Sequence, residues 1–177
     1  MDRRSAVRNF IVFSAGVTLL PSCLQQDSKS SLPLKNIQVS GDQEKMVAEL
    51  TETILPTNDT PGAKGLSSQL FVLMMVDDCF KKEEQEKFIK GLQQFDEVSR
   101  KKIGEPFVKA TAPQRAALLK EIENKKDTPE EVLAFYNATK RLTVQSFTGS
   151  KYFLTKVRPY DMVPGRFHGC FPVANPK

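Results

Sequence analysis

The sequence is poor in the residues on which most reactive sites depend. Histidine occurs once in the 177 residues, as His168, and tryptophan is absent. His168 would have to be the base of any catalytic triad, and together with Cys170 it offers too few ligands for a zinc or copper site. None of the nine glycines stands two residues from another, which excludes the Gly-x-Gly turn of dinucleotide sites. We therefore expect no catalytic, cofactor-binding or metal-binding residues in this chain.

Cysteine is also scarce, with three in the chain and no Cys-x-x-Cys spacing. The sequence therefore excludes covalent attachment of a c-type haem and contains no evident iron–sulfur ligand set. If Cys23 is acylated, Cys79 and Cys170 remain as the two free cysteines. In an oxidising compartment these two are candidates for one disulfide bond. Two separate buried thiols are the alternative.

The uncharged stretch near the N-terminus is too short to cross a membrane. It covers 11 residues, 10–20, whereas a spanning helix needs about 20. Arg3 and Arg4 precede it and a small residue, Ser22, follows it, as in a secretory signal. We therefore predict a signal peptide over residues 1–22.

The cysteine that follows this stretch indicates a signal peptide of the lipoprotein type. Leu20-Pro21-Ser22-Cys23 resembles a bacterial lipobox, in which the cysteine is acylated and becomes the new N-terminus. We expect a lipid on Cys23 and a location in the cell envelope, on the periplasmic or another extracytoplasmic face. An ordinary cleaved signal with an incidental cysteine is the alternative.

Composition divides the remaining 155 residues into a tether and one domain. Residues 23–41 are rich in Ser, Gln, Lys and Asp and are expected to form a flexible tether. Residues 42–177 suffice for one domain with a single core. The periodicity of apolar residues predicts an all-α fold of about five helices in a compact bundle, with an irregular C-terminal arm over 150–177.

Start and stop signals place the individual helices. Ser40 precedes the first apolar stripe as a capping residue, Thr111 is a plausible cap, and Thr128 with Pro129 at the first helical position marks another start. The predicted helices cover residues 42–55, 65–79, 82–102, a segment from 111 that carries Ala116, Ala117, Leu119 and Ile122, and 128–148. The run at 70–76 is apolar on every face, so it is either buried centrally or covered by a partner. A β-strand is an alternative for so short a run.

The C-terminal segment combines basic and aromatic residues. Residues 140–177 contain seven basic residues and a single acid, Asp161. For an exported protein, an acidic protein face or anionic lipid headgroups are expected targets rather than nucleic acid. A solvated basic surface around a packed aromatic tail is the alternative. Asp77 and Asp78, an acidic pair at a helix end, are expected to be solvated rather than to hold a cation.

Three segments together resemble one known family. Residues 54–63, Ile-Leu-Pro-Thr-Asn-Asp-Thr-Pro-Gly-Ala, are similar to the motif after the first helix of the gluconate 2-dehydrogenase subunit 3 family. Residues 163–170, Val-Pro-Gly-Arg-Phe-His-Gly-Cys, are similar to its C-terminal motif, and Arg3-Arg4 to its twin-arginine leader. Residues 142–153 loosely match its segment between the last long helix and the tail. The resemblance covers nearly all of the chain from Asp42 onward.

The resemblance implies a small, non-catalytic accessory subunit. Such a subunit accompanies a large flavin-dependent sugar or sugar-acid dehydrogenase, which holds the FAD and the substrate and passes electrons to a cytochrome or another carrier. The twin-arginine route exports folded cargo, so this leader could carry the flavoprotein across the membrane. Ala6-Val7 stands where that motif usually has Phe-Leu, which leaves general secretion before lipidation as an alternative.

A subunit of this kind needs a surface for its partner. The all-round apolar helix and the basic aromatic tail are the expected interface, and its candidate residues are Leu70, Phe71, Met74, Met75, Tyr152, Phe153, Tyr160, Arg166 and Phe167. The loop 58–63 is expected to be structural, with Asp59 as a turn cap and Gly62 at positive φ. A free-standing envelope lipoprotein that binds a ligand or acts as a scaffold is the alternative function.

Overall fold

Local capping signals define where most of the helices begin. A computed structural model describes residues 30–125, 127–158 and 165, and over these residues it is α-helical without strands. The α-helices are α1 (Gly41–Ile54), α2 (Ser68–Cys79), α3 (Lys82–Ile103), α4 (Ala112–Glu123) and α5 (Glu130–Thr148), followed by a π-helical turn (Phe153–Val157). The all-α prediction is therefore confirmed, and residues 70–76 form a helix rather than a strand.

Reciprocal hydrogen bonds close two of the predicted helix starts. At α1, the Gln43 N–H donates to Ser40 Oγ at 3.2 Å while the Ser40 N–H donates to Gln43 Oε1 at 2.9 Å. At α4, the Thr111 N–H donates to Gln114 Oε1 at 2.8 Å. Such capping boxes satisfy N–H groups that the first helical turn leaves unpaired. The start of α5 differs slightly from expectation, because Pro129 is itself the cap residue and the helix begins at Glu130.

The core is centred on the crossing of α3 and α5, which pack together more extensively than any other pair. Gly91 permits this crossing, because a Cβ at that position would lie 2.2 Å from the carbonyl oxygen of Glu131 and 2.6 Å from Phe135 Cβ. Around the crossing, buried phenylalanine rings meet edge to face, with centroids 4.9–5.5 Å apart. Such pairs add about 0.5–1.5 kcal/mol each beyond the area that they bury.

The buried stripe of α4 differs from the one predicted. Leu119 and Ile122 are buried as expected, but Ala116 and Ala117 face solvent and Leu118 takes their place in the core. Either set fits a helical period, and the larger leucine buries more apolar surface than two alanines.

Two chain segments that were predicted to be irregular are ordered. Residues 30–40 pack along the bundle, with Ile37 buried in the core, so this stretch is not the free tether expected from its composition. Residues 151–157 continue as helix and π-helical turn beyond Gly149. The remaining tether residues, 23–29, and most of the predicted C-terminal arm, 159–164 and 166–177, lie outside the described residues.

Candidate functional site

Helix α2 has an apolar face that the bundle does not cover completely. Val72, Leu73 and Val76 are fully buried on one side, whereas Met74 on the other is 45% exposed. Leu70, Phe71 and Met75 are half-buried. All four candidate interface residues predicted on this helix therefore retain some contact with solvent, while the helix is anchored by its opposite side.

The first turn of α2 lies beside the last turns of α5. Ser68 Oγ and Ser146 Oγ are 3.0 Å apart and hydrogen-bonded. Just beyond Ser146, the Phe147 ring contacts two others: it is tilted against Tyr152 at a centroid distance of 6.5 Å and meets Phe153 edge to face at 5.5 Å. The structure therefore brings the apolar helix and the start of the basic tail to the same end of the bundle.

The basic side chains of this region differ in whether they contact an acidic or an aromatic side chain. Lys140 pairs with Glu123, and the Arg141 guanidinium lies 5.7 Å from the centroid of the Phe80 ring. In contrast, Lys151, Lys156 and Arg158 are exposed. The sequence from 140 to 158 contains no acidic residue at all.

We call the combined region the end surface and define it by its apolar and basic members together. It consists of Leu70, Phe71, Met74, Met75, Val144, Phe147, Lys151, Tyr152, Phe153, Lys156, Val157 and Arg158. Val144 and Val157 were missed in the sequence, although they are 50% and 52% exposed. Their exposure depends on which side of α5 and of the π-helical turn the bundle covers, and no local pattern reveals that. Tyr160, Arg166 and Phe167 lie outside the described residues.

Near the C-terminal end of α2, Asp77 holds the segment 30–40 in place. Its carboxylate accepts the backbone N–H groups of Lys35 at 2.9 Å, Asn36 at 2.7 Å and Ile37 at 2.9 Å. Burial would raise the pKa of Asp77, but these three donors outweigh it and hold the pKa below its usual value. The expectation of two solvated acids is thus wrong for Asp77, which is buried, while Asp78 is exposed.

A second carboxylate holds the beginning of the same segment. Glu44 Oε2 accepts the Ser31 N–H at 2.7 Å and the Ser30 hydroxyl at 3.0 Å. Burial raises the pKa of Glu44, but these hydrogen bonds lower it below its usual value. We call residues 30–40 the strap, because Glu44 binds their beginning and Asp77 binds their middle.

The motif loop between α1 and α2 is closed by a third carboxylate, Glu52. Its two oxygens accept the N–H of Thr57 at 2.9 Å and the N–H of Lys64 at 2.8 Å. Gly62 does not have positive φ as predicted; it is needed because a Cβ would lie 2.4 Å from both Thr57 N and Thr57 Oγ1. Asp59 is exposed and makes no side-chain hydrogen bond within the described residues, so its predicted role as a turn cap is wrong.

The described residues contain no group of three or more His, Cys, Asp or Glu side chains that could hold a metal ion. An open cleft of about 370 Å³ lies between α3 and the start of α1, and four of its five charged lining residues pair as Lys45–Asp42 and Arg100–Asp96, the fifth being Lys109. None of the helices in the described ranges has the length and apolar character to cross a membrane.

The three cysteines are unevenly represented in the described structure. Cys79 is exposed at the end of α2 and forms no disulfide bond within the described residues. Cys23 and Cys170 lie outside the described residues, so the lipid on Cys23 and the Cys79–Cys170 disulfide stay predictions. Gly165, the described member of the C-terminal motif 163–170, has a φ of 75°.

Comparison with known proteins gives one match. The family described as gluconate 2-dehydrogenase subunit 3 matches residues 41–165, which include all five α-helices and the motif loop. No curated protein and no solved structure matches the chain significantly.

Proposed function

Because the chain belongs to the gluconate 2-dehydrogenase subunit 3 family, we propose that it is a non-catalytic accessory subunit of a membrane-attached dehydrogenase. Its task is to bind the large flavoprotein subunit and to bring that subunit to the membrane. The FAD and the sugar or sugar-acid substrate belong to the large subunit, and electrons leave through a cytochrome or another carrier. The observation that carries this proposal is the family match over nearly the whole helical domain.

The end surface supports a binding role. Protein interfaces are built from an apolar, aromatic centre with a polar rim, and Arg and Tyr are enriched in them. The end surface combines the exposed Met74 and Val144 with the Tyr152 side chain and a cationic border. The exposed members of this surface lie outside the buried core, to which all five α-helices contribute.

The N-terminal sequence supports membrane attachment. A lipid on Cys23 would leave seven residue steps to Ser30, where the strap begins. At about 3.3–3.6 Å per residue, this connection reaches at most about 25 Å. Lipidation would therefore hold the domain close to the bilayer on the extracytoplasmic face. The leader at residues 1–22 serves export through the twin-arginine route, with the flavoprotein as folded cargo, or through general secretion.

Capture of the native complex tests the proposal. The full chain, tagged after residue 177 and expressed in its source organism, is solubilised from membranes in mild detergent and purified through the tag. We expect a second polypeptide with the absorbance spectrum of bound flavin in the eluate. A chain that elutes alone contradicts the accessory role and favours a free-standing envelope lipoprotein.

A single substitution separates membrane attachment from partner binding. Cys23→Ser removes the acylated residue and leaves residues 30–158 untouched. We expect the variant to lose its association with membranes and still to capture the flavoprotein from the soluble fraction. If Cys23→Ser remains in membranes after washing at high salt, the lipid anchor is not at this residue.

A further inference from the structure

We propose that the end surface docks a protein face that is acidic at its rim and apolar at its centre, and that this face belongs to the flavoprotein subunit. The inference rests on the proposed function and adds to it the location and the charge of the interface. Two observations support it: exposed cations that form no salt bridge within the described residues, and exposed apolar side chains that lie beside aromatic rings.

The cations of the end surface have no charged partner in the described part of the chain. Lys151, Lys156 and Arg158 take part in none of the salt bridges there, whereas Lys140 nearby is paired with Glu123. Exposed cations at a rim steer an acidic partner and exclude a basic one. An apolar surface with such a rim is complementary to an acidic protein surface.

The apolar side chains of the end surface are concentrated rather than scattered. Among the described residues, four large apolar side chains are exposed, and three of them, Met74, Val144 and Val157, each lie three or four residues from an aromatic member of this surface on the same helix or turn. Single exposed apolar residues are ordinary on a monomer, whereas a cluster of them marks an interaction site. The Tyr152 and Phe153 rings beside them supply the aromatic anchors that dominate interface energies.

The end surface extends along α2, from the aromatic residues beside Ser68 to Met74, which lies three residues from Asp77. The strap joins the bundle where α1 begins and α2 ends, because residues 35–37 bind Asp77. The aromatic part of the end surface lies where α2 begins, beside Ser146, and α2 is about 18 Å long at 1.5 Å per residue. A connection of at most about 25 Å from Cys23 to Ser30 is longer than this helix, so the vesicle measurement below separates a protein occupant from the bilayer.

Charge reversal with a matched control tests the rim. In the full chain, Lys151→Glu, Lys156→Glu and Arg158→Glu are combined, and the flavin captured per chain is compared with wild type. The control combines Lys82→Glu, Lys90→Glu and Lys120→Glu, three exposed lysines on α3 and α4 with the same total change in charge. We expect about a tenfold loss of captured flavin for the first set and little change for the control.

A second pair of variants tests the apolar centre. Met74→Glu places a charge on the exposed face of α2. Val108→Glu is the control: it places the same charge at the fourth exposed apolar residue, which lies outside the end surface. Both side chains face solvent, so both variants should keep the helical circular dichroism of wild type. We expect Met74→Glu to reduce captured flavin about tenfold and Val108→Glu to leave it unchanged.

The outcomes separate this inference from the proposed function. If wild type captures flavoprotein and the end-surface variants capture as much, the interface is elsewhere and the inference is overturned while the accessory role stands. If wild type captures none, both are overturned. Binding to vesicles of phosphatidylglycerol and phosphatidylcholine is measured in parallel. If the triple reversal loses only its vesicle binding, the end surface contacts lipid and the protein interface is wrong.

Discussion

Asn36 donates two hydrogen bonds to Asp77, one from its backbone and one from its side chain. The Asn36 N–H donates to Asp77 Oδ1 at 2.7 Å, and Asn36 Nδ2 donates to the Asp77 carbonyl oxygen at 2.8 Å. The same carbonyl accepts Gln85 Nε2 at 2.8 Å, which ties the end of α2 to α3. One buried residue therefore connects the strap, α2 and α3, although 41 residues separate it from Asn36.

Asp77→Asn is expected to lower the free energy of unfolding by about 2–3 kcal/mol, because hydrogen bonds to a charged acceptor are the strong ones and buried donors lose a partner. An asparagine offers one acceptor oxygen to three backbone N–H groups. Urea denaturation followed by circular dichroism measures the loss. Asp78→Asn, on the exposed neighbour, is the control and should stay within about 0.5 kcal/mol of wild type. Equal effects of the two substitutions would show that the strap contributes nothing to stability.

The stability of the domain is expected to decrease in acid through the same carboxylates. The pKa values of Asp77 and Glu44 are lower in the folded state than the ordinary values of 3.8 and 4.5. Their contribution is thus complete above the unfolded-state values and is lost as the pH falls through the folded-state values. Each group adds at most about 1.4 kcal/mol per pH unit.

Urea denaturation at a series of pH values from about 2.5 to about 7 measures how the unfolding free energy depends on pH. Asp77→Asn should flatten the acid side of the profile, since it removes one of the carboxyl groups whose pKa is lowered in the folded state. A variant profile parallel to that of wild type would contradict the assignment of the acid sensitivity to Asp77.

Gly91→Ala is expected to be among the most destabilising substitutions in the chain. The new Cβ would meet the Glu131 carbonyl at 2.2 Å, so α3 and α5 must move apart at the centre of the core. Overpacking of this kind costs about 1–3 kcal/mol or more. Thermal unfolding measures it, with Gln93→Ala on the exposed side of the same helix as the control. A stabilised Gly91→Ala would mean that the helices do not cross at this residue.

Gly62→Ala is expected to open the motif loop. Its Cβ would lie 2.4 Å from Thr57 N and 2.8 Å from the Pro56 carbonyl carbon, and both are backbone atoms that cannot rotate away. We expect a loss of about 1–3 kcal/mol in unfolding free energy. Gly65→Ala is the matched control three residues later, where a Cβ meets only ordinary contacts at 3.5 Å and 3.7 Å. Similar losses at both positions would refute the close approach.

Features that depend on neighbouring residues could be predicted from the sequence. The Ser40–Gln43 and Thr111–Gln114 caps and the helical period of α3 are local, and the predicted helices agree with the structure to within a few residues. The motifs at 54–63 and 163–170, taken together, indicated the family. These signals lie within one or two helical turns, where spacing alone determines which groups can meet.

Features that depend on contacts between distant segments could not be predicted. The polar composition of residues 30–40 suggested a tether, but the partner that orders them is a carboxylate some 40 residues away. Nothing near Gly91 in the sequence indicates that α5 crosses there. The exposure of Val144 likewise follows from the packing of α5 against α2 and α3, and a helical period alone cannot assign it.

The activity of the captured complex tests the accessory role most directly. The tagged full chain is purified from native membranes, and the reduction of an artificial dye is measured with gluconate and with related sugars as electron donors. We expect substrate-dependent reduction by the captured complex and none by the chain after its partner has been removed at high salt. Dye reduction by the isolated chain, or a wild-type eluate without flavin and without activity, would contradict the account.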